Sequence, residues 1–357
     1  MVSLSAAKAL SESMRFSEDR SFNLDGLDQL RARSSHKDSM LRNGLLISEA
    51  MTPRLEFSIS DVCNRLRLPR ENVTAFVYNS SDVQADCFVE SSQTCVLRFT
   101  SGLVNLMSEK EFQFVAAHEI GHFLLGHGAS GQNSAVDSIE HFMIRRAQEL
   151  SADRIGYLGV GSLDESIQAI IKTASGLSRE FLRFDVSSFM SQALMLGNPG
   201  VGESVNSSHP SLLIRCRALL WFSMSVSSAK DLSCLDDFTI SNVDVKVAKD
   251  LKRFVDGRVR QRKFELAEDI LLWKICVLVV NEGALKKELQ SRILKHIGEL
   301  NLNGLKTFIE LYDGNNLAGE AMARLNESLK STYTEFPQSA EKIESESFDR
   351  AYQIIYG

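Results

Sequence analysis

Short stretches of strand-like alternation interrupt a chain whose hydrophobic pattern is otherwise mostly helical. Period-two alternation predicts a strand at Val73–Tyr78 and two more at Cys87–Glu90 and Cys95–Thr100, the latter two joined as a hairpin around residues 91–93. Beyond about residue 228 the pattern is helical, with breaks at glycine and asparagine. The chain is therefore expected to be α+β and mainly α, with one small β-sheet.

Polar residues typical of helix caps mark the starts of several helices. Ser108 and Glu111 have the spacing of a capping box, and Ser162 and Glu165 have the same spacing. Further helices are expected from Ser60 to Leu66, from about Val136 to Gly156, and from Pro210, in the first turn, to Leu220.

The helix predicted to begin at Ser108 carries the motif H-E-x-x-H at His118, Glu119 and His122. Residues four apart share one helix face, so both imidazoles can bind a single cation. Glu119 lies about 100° further round, where its carboxylate can act as a general base toward a water at the metal. The spacing and the helical context together predict a metal-hydrolase site.

A catalytic zinc site usually has three protein ligands, so a third one is required. His127 is nine residues after His118, which on a continuous helix amounts to about 180°, and it is expected to point away from the metal in a structural or exposed position. Glu149 is the better candidate. Asp153 shares its helix face and can orient a ligating histidine through the second ring nitrogen.

These motifs resemble the M48 family of zinc metallopeptidases over residues 50–225. The similarity lies in H-E-I-G-H, in Glu149-x-x-x-Asp153 followed by Arg-Ile-Gly, and in His209-Pro210 followed by Arg215. It implies a gluzincin-type domain that binds one Zn²⁺ per chain through His118, His122 and Glu149, with Glu119 as the base, and that hydrolyses protein or peptide substrates.

The resemblance leaves the roles of several other residues open. Three roles are open for His209. It is either a helix-start residue without a catalytic role, or an inhibitory fourth ligand of the metal, or a donor that stabilises the oxyanion of the tetrahedral intermediate. Arg215 is expected to form an ion pair, with Asp153 as the candidate partner. The family often holds the substrate backbone with an Asn-Ala pair on an edge strand, and the nearest equivalent here is Gln84-Ala85.

Two other functions compete with this interpretation. The motif helix also resembles that of ImmA/IrrE-type proteases, which cut specific repressors. A zinc-bound interaction or chaperone module with little turnover is a third possibility, although such a module has no need of Glu119.

Length and motif distribution predict the domain organisation. The 357 residues exceed one typical domain. Residues 1–50 are polar and predict a helical leader, residues 51–228 contain the motifs, and residues 229–357 predict an all-helical regulatory or partner-binding domain. A basic run at 246–263 is a solvated helix face or a docking patch for an acidic partner.

Composition and charge restrict location and partners. A net charge of −6 argues against a nucleic-acid-binding protein. The most apolar stretch, Ile270–Val280, contains Lys274 and is shorter than the roughly 20 residues that cross a bilayer, so membrane insertion is not expected. The six cysteines form no C-x-x-C pair, and residues 1–12 lack the features of a secretory signal. These observations predict reduced thiols and a cytoplasmic location.

Overall fold

A computed structural model describes residues 37–127, 138–183, 185–191, 209–228, 237–254, 256–283, 285–312 and 316–357. Most of the predicted leader lies outside this range. The described residues contain twelve helices and four strands. The predicted fold class, mainly helical with a small sheet, is confirmed.

The helices, in chain order, are α1 (Pro53–Leu66), α2 (Ser101–Leu106), α3 (Glu109–Leu124), α4 (Ile139–Val160), α5 (Leu163–Ser175), α6 (Val186–Ser191), α7 (Leu212–Ser228), α8 (Asp237–Phe254), α9 (Asp256–Asn281), α10 (Lys287–Leu311), α11 (Leu317–Glu335) and α12 (Ala340–Tyr356). The strands are β1 (Leu45–Leu46), β2 (Val73–Tyr78), β3 (Ala85–Val89) and β4 (Cys95–Thr100).

The four strands form one mixed sheet in the order β1-β2-β4-β3. Strand β3 pairs antiparallel with β4, which confirms the predicted hairpin, whereas β2 pairs parallel with β4 and antiparallel with β1. The burial pattern explains this arrangement, since five of the six residues of β4 are buried and a strand buried on both faces occupies the interior of a sheet. Strand β3 is consequently an edge strand of this sheet.

Helix α3 is the most deeply buried element near the sheet. Its start is the predicted capping box: the Ser108 amide donates to Glu111 Oε2 at 2.6 Å, and the Glu111 amide donates to Ser108 Oγ at 3.3 Å. The same Glu111 carboxylate accepts from Lys172 Nζ on α5 at 2.7 Å, and both side chains are almost fully buried. Helix α3 packs on α1, α5 and β3, so its orientation is fixed from several sides.

Several predicted helix boundaries differ from the structure. Helix α1 begins at Pro53, well before the predicted Ser60, because proline favours the first turn of a helix. Helix α7 begins at Leu212, after Pro210, and the Ile214 amide donates to Ser211 Oγ at 3.4 Å.

The predicted cap of α5 is formed by one of its two bonds. Ser162 Oγ accepts from the Glu165 amide, while the Glu165 carboxylate accepts from Ser108 Oγ at 3.3 Å.

The chain divides into two compact units. The first contains the described residues of 37–127 and 144–254, and the second contains those of 138–143 and 256–357. Helix α8 belongs to the first unit, where it packs on α7 and where Asp244 accepts from buried Arg154 on α4 at 2.6 Å. The predicted boundaries at residues 50 and 228 stay predictions.

The second unit is helical throughout its described residues. Helix α9 supplies a buried face that includes Ile270, Ile275 and Val279, and it packs against α11 and α12. Helix α10 contains a break at Gly298, whose φ of 78° lies in the left-handed region. No helix in the described part of the chain has the length and apolarity needed to cross a membrane.

Helices α3 and α4 approach each other closely at Gly159, and substituting this residue tests that contact. A Cβ at position 159 would overlap the Cβ of Ala117, the residue before His118. We expect Gly159→Ala to lower the free energy of unfolding by about 1–3 kcal/mol through overpacking. Denaturant unfolding of the full chain measures this effect.

Gly304→Ala on α10 is the matched control, because a Cβ there meets no atom within 4 Å. This change should be neutral or should stabilise, since alanine exceeds glycine in helix propensity by about 1 kcal/mol. Equal effects of the two substitutions would contradict the close approach of α3 to α4.

Candidate metal centre

Helices α3 and α4 bring His118, His122 and Glu149 together. One ligating atom from each of these residues lies within 4.8 Å of those of the other two. His118 Nε2 is 3.1 Å from His122 Nε2 and 3.5 Å from Glu149 Oε2, and His122 Nε2 is 3.5 Å from Glu149 Oε1. In the part of the chain that the structure describes, this is the one group of histidine, cysteine and acidic side chains that could hold a metal ion.

The spacing of these atoms fits a tetrahedral cation. Zinc with bonds of about 2.0–2.2 Å separates its ligand atoms by roughly 3.3 Å. The two histidine nitrogens are 3.1 Å apart, and each lies 3.5 Å from one of the two carboxylate oxygens of Glu149. Two imidazoles and one carboxylate are also a donor set found at catalytic zinc sites, which leave a fourth position open. The residues present therefore fit a zinc ion.

Asp153 contacts the ring of His118 on the side away from the other two ligand candidates, and Arg215 contacts Asp153. Asp153 Oδ1 is 3.0 Å from His118 Nδ1, so the histidine donates through Nδ1 and its Nε2 faces the other two side chains. Arg215 on α7 donates to both carboxylate oxygens of Asp153, from Nε at 2.8 Å and from a terminal nitrogen at 2.6 Å. The predicted ion pair between Arg215 and Asp153 is confirmed.

Charges in this cluster shift the pKa values in opposite directions. Burial alone lowers the pKa of His118, but its hydrogen bonds to Asp153 and Glu149 raise that pKa to about 10. Burial would raise the pKa of Glu149, but the hydrogen bond and charge of His118 hold it well below its usual range. Burial and the charge of His118 lower the pKa of His122. Without a metal, the cluster therefore holds a proton on His118 and a carboxylate at Glu149.

Glu119 lies beside the ligand group and is partly buried. Burial raises the pKa of its carboxyl to about 7, and the negative charge of Glu149 adds to that increase while the charge of His118 opposes it. A carboxyl group with a pKa near neutrality can accept a proton and return it at physiological pH.

His127 lies outside the group of ligand candidates, but it does not lie on the far face of a continuous helix, because helix α3 ends at Leu124. Gly126 has a φ of 70° and turns the chain back, so that His127 Nδ1 lies 2.9 Å from His122 Nδ1. A glycine just after the last helical residue is a common C-terminal signal, so the sequence contained the information needed to predict this turn. Burial lowers the pKa of His127 to about 3, which keeps the imidazole neutral.

His209 precedes α7 and has an exposed side chain, with its Nε2 3.7 Å from Glu149 Oε2. The structure thus brings His209 close to Glu149, one of the three ligand candidates. Its side chain is 62% exposed against 8% for Glu149, which leaves room for a second molecule to approach it.

Edge strand β3 runs beside helix α3. At its start, the backbone of Gln84 pairs with Thr100, and Asp86 accepts from Arg98 on β4 at 2.9 Å. The hydrogen bond with Cys95 and burial raise the pKa of the Cys87 thiol on this strand, and the charge of Glu119 raises it further. The edge strand therefore packs on the helix that carries the candidate base.

The paired histidines and the glutamate from a second helix form a group that could hold a metal ion, with Glu119 of the motif beside it. Residues 49–144 match the family model described as peptidase family M48, which confirms the M48 resemblance. A search of curated proteins finds no match. The matched segment contains His118, Glu119 and His122 but ends before Glu149. The family match and the His-His-Glu group together support a metallopeptidase.

Zinc binding should displace the proton that His118 holds in the metal-free protein. With a pKa of about 10, His118 is protonated at about pH 8, so binding should release a proton and zinc affinity should rise as pH increases toward 10. Because the pKa of folded His118 lies above that of an ordinary histidine, the proton on His118 stabilises the metal-free fold. This contribution to the free energy of unfolding should be lost as pH rises through 10. Calorimetry in buffers of different ionisation enthalpy counts the released protons.

Asp153→Asn should release fewer protons on zinc binding at the same pH, because it removes the carboxylate that raises the pKa of His118. Glu109→Gln, at the exposed start of α3, is the control and should behave like wild type. Proton release by wild type that does not exceed release by Asp153→Asn would contradict this assignment.

Proposed function

We propose that the protein is a zinc-dependent endopeptidase that hydrolyses peptide bonds of protein substrates. The observation that carries this proposal is the convergence of His118, His122 and Glu149 to distances of 3.1–3.5 Å with Glu119 beside them. A zinc ion held by these three residues would supply a Lewis acid that polarises the scissile carbonyl and the attacking water.

Glu119 performs the proton transfers in this mechanism. Its carboxylate accepts a proton from the attacking water and then donates it to the nitrogen of the leaving amine. In the metal-free protein burial raises the pKa of Glu119 to about 7, which favours proton uptake by this carboxylate. Its position one residue after His118 keeps it beside the ligands but outside the group that binds the metal.

Asp153 and Arg215 act by orienting His118. The hydrogen bond from His118 Nδ1 to Asp153 keeps the ring in the tautomer whose Nε2 is free to bind metal. The bidentate bond from Arg215 holds the carboxylate ionised and fixed, since burial would raise the pKa of Asp153 but the charge of Arg215 lowers it. Both residues support binding geometry without contacting the substrate.

The edge of β3 is the proposed binding surface for the substrate backbone. An extended peptide can add to an exposed strand edge through main-chain hydrogen bonds, and this strand packs on helix α3, which carries Glu119. Gln84-Ala85 at the start of β3 takes the place of the backbone-holding pair that the family resemblance implies.

We assign the catalytic function to residues 51–228 and a regulatory or partner-binding function to the helical region 229–357, of which helix α8 packs with the first unit. The basic run at 246–263 is divided between α8 and α9, and its Arg262 is paired with Glu335 at 2.6 Å.

The five described cysteines are free, which supports the proposed cytoplasmic location.

The intact Glu119 and the M48 match argue against the alternatives. A zinc-bound interaction module requires the ligands but has no need of Glu119 beside them. A repressor-cutting protease would share the chemistry and would differ in accepting one substrate only.

Substitutions at Glu119 and Glu149 should separate catalysis from metal binding. We expect Glu119→Gln to retain about one zinc per chain and to lose cleavage of unfolded casein by at least about 100-fold, because the general base is gone. Glu149→Ala should lose both zinc and cleavage. Elemental analysis and a cleavage assay on the same samples measure both properties.

Glu109→Gln, on the same helix but exposed, should keep zinc and cleavage. Full cleavage by Glu119→Gln would refute the role of the base, and zinc retained by Glu149→Ala would refute the third ligand.

His209 is proposed to donate a hydrogen bond to the oxygen of the scissile carbonyl as negative charge develops there. His209→Ala should then lower kcat by about 100-fold with little change in KM and no loss of zinc, as expected for a donor that acts in the transition state. Steady-state kinetics and metal content measure these values. An increase in kcat would instead identify His209 as an inhibitory fourth ligand.

A further inference from the structure

The C-terminus of helix α3 is folded back onto the second histidine of the motif. The His127 amide donates to the His122 carbonyl at 3.0 Å, and the Gly126 amide donates to the Phe123 carbonyl at 3.1 Å. With Gly126 in the left-handed region, these two bonds form a Schellman motif. In this motif the residue after the glycine commonly contacts the third residue from the helix end, and here that pair is His127 and His122.

This contact joins nitrogen to nitrogen. His127 Nδ1 lies 2.9 Å from His122 Nδ1, and the two rings are steeply inclined, at 70°. On the opposite side of the His122 ring, Nε2 lies 3.1 Å from His118 Nε2 and 3.5 Å from Glu149 Oε1. Each nitrogen of His122 therefore has a separate task, one toward the metal group and one toward His127.

The contact between the two Nδ1 atoms has room for one proton, and this determines the tautomers of His122 and His127. Two ring nitrogens 2.9 Å apart share a single proton, because two N–H groups facing each other would repel. His122 must keep Nε2 free of a proton to bind a cation, so its proton lies on Nδ1 and points at His127. His127 then accepts at Nδ1 and carries its own proton on Nε2.

We infer that His127 is a positioning residue for His122, which holds the ring of that ligand in the tautomer and orientation that a metal ion requires. The inference rests on the proposed function, since it assigns a task to His127 only if His122 binds a metal. His127 itself is not one of the ligands in this arrangement, because its Nδ1 faces the side of His122 opposite the metal group.

The two ligating histidines would then be supported in different ways. His118 donates to the carboxylate of Asp153, which Arg215 holds in place, whereas His122 donates to the neutral imidazole of His127. A carboxylate partner makes a histidine a stronger electron donor than a neutral partner does. The His127 contact thus serves orientation more than basicity, and an uncharged acceptor of the same shape should replace it.

Substitution of His127 by Phe and by Asn tests the inference. Phenylalanine keeps an aromatic ring against His122 without an acceptor, whereas the side-chain oxygen of asparagine can occupy nearly the position of Nδ1. Zinc affinity of the metal-free full chain is measured by competition with a chelator. We expect His127→Phe to bind zinc about 10–100-fold more weakly than wild type and His127→Asn to recover most of that loss.

Zinc affinity of His127→Phe equal to that of wild type, or no recovery by His127→Asn, would overturn the inference. A second measurement needs no substitution: ¹⁵N chemical shifts of the histidines in the zinc-loaded wild type report the tautomers. They should show a proton on Nδ1 of His122 and none on Nδ1 of His127, and the reverse pattern would also overturn the inference.

A casein-cleavage assay of the wild type separates the inference from the proposed function. If the wild type binds zinc but cleaves nothing, and His127→Phe still weakens binding, the endopeptidase proposal fails and the role of His127 stands. If the wild type cleaves and His127→Phe keeps full zinc affinity, only the role of His127 fails. Absence of zinc binding by the wild type would overturn both.

Discussion

The close approach of helices α3 and α4 is the constraint on which the site depends. Three glycines make it possible: a Cβ at Gly121 would press on Ile155, one at Gly156 would overlap the Phe114 ring, and one at Gly159 would overlap Ala117. Larger side chains at these positions would force the two helices apart. Since the ligand atoms of the two helices lie about 3.5 Å apart, such a separation would place Glu149 out of reach of a cation shared with the histidines.

Close packing positions the ligands, but it also buries charge, and the surrounding residues compensate for that burial. Asp153 is 1% exposed and would be strongly destabilising if unpaired, yet it has hydrogen bonds from both His118 and Arg215. The next residue, Arg154, is equally buried and is paired with Asp244 on α8. Helix α4 is therefore held by charged contacts to α7 and α8 in the turn that follows the third ligand candidate. The ion pair between Arg154 and Asp244 explains why α8 belongs to the first unit.

The elements that depend on local signals were predictable from the sequence, and those that depend on distant partners were not. The capping box at Ser108 and the strands β2 and β4 follow from short patterns, and their predicted bounds agree with the structure. The parallel pairing of β2 with β4 could not be read from alternation, because it depends on which strand is buried on both faces. Asp244 could not be predicted either, because an aspartate on a helix is ordinarily solvated and only the fold brings it to Arg154.

His127 shows why a motif can be recognised while its surroundings are misjudged. Helical periodicity places a residue correctly only as far as the helix continues, and the angle of about 180° assigned to His127 assumed nine unbroken residues. The helix stops at Leu124, and Gly126 reverses the chain, so a residue expected on the far side returns to contact a ligand. The helix end is therefore as much a part of this candidate centre as the histidines themselves, because the backbone bonds that close the helix also place the nitrogen that faces His122.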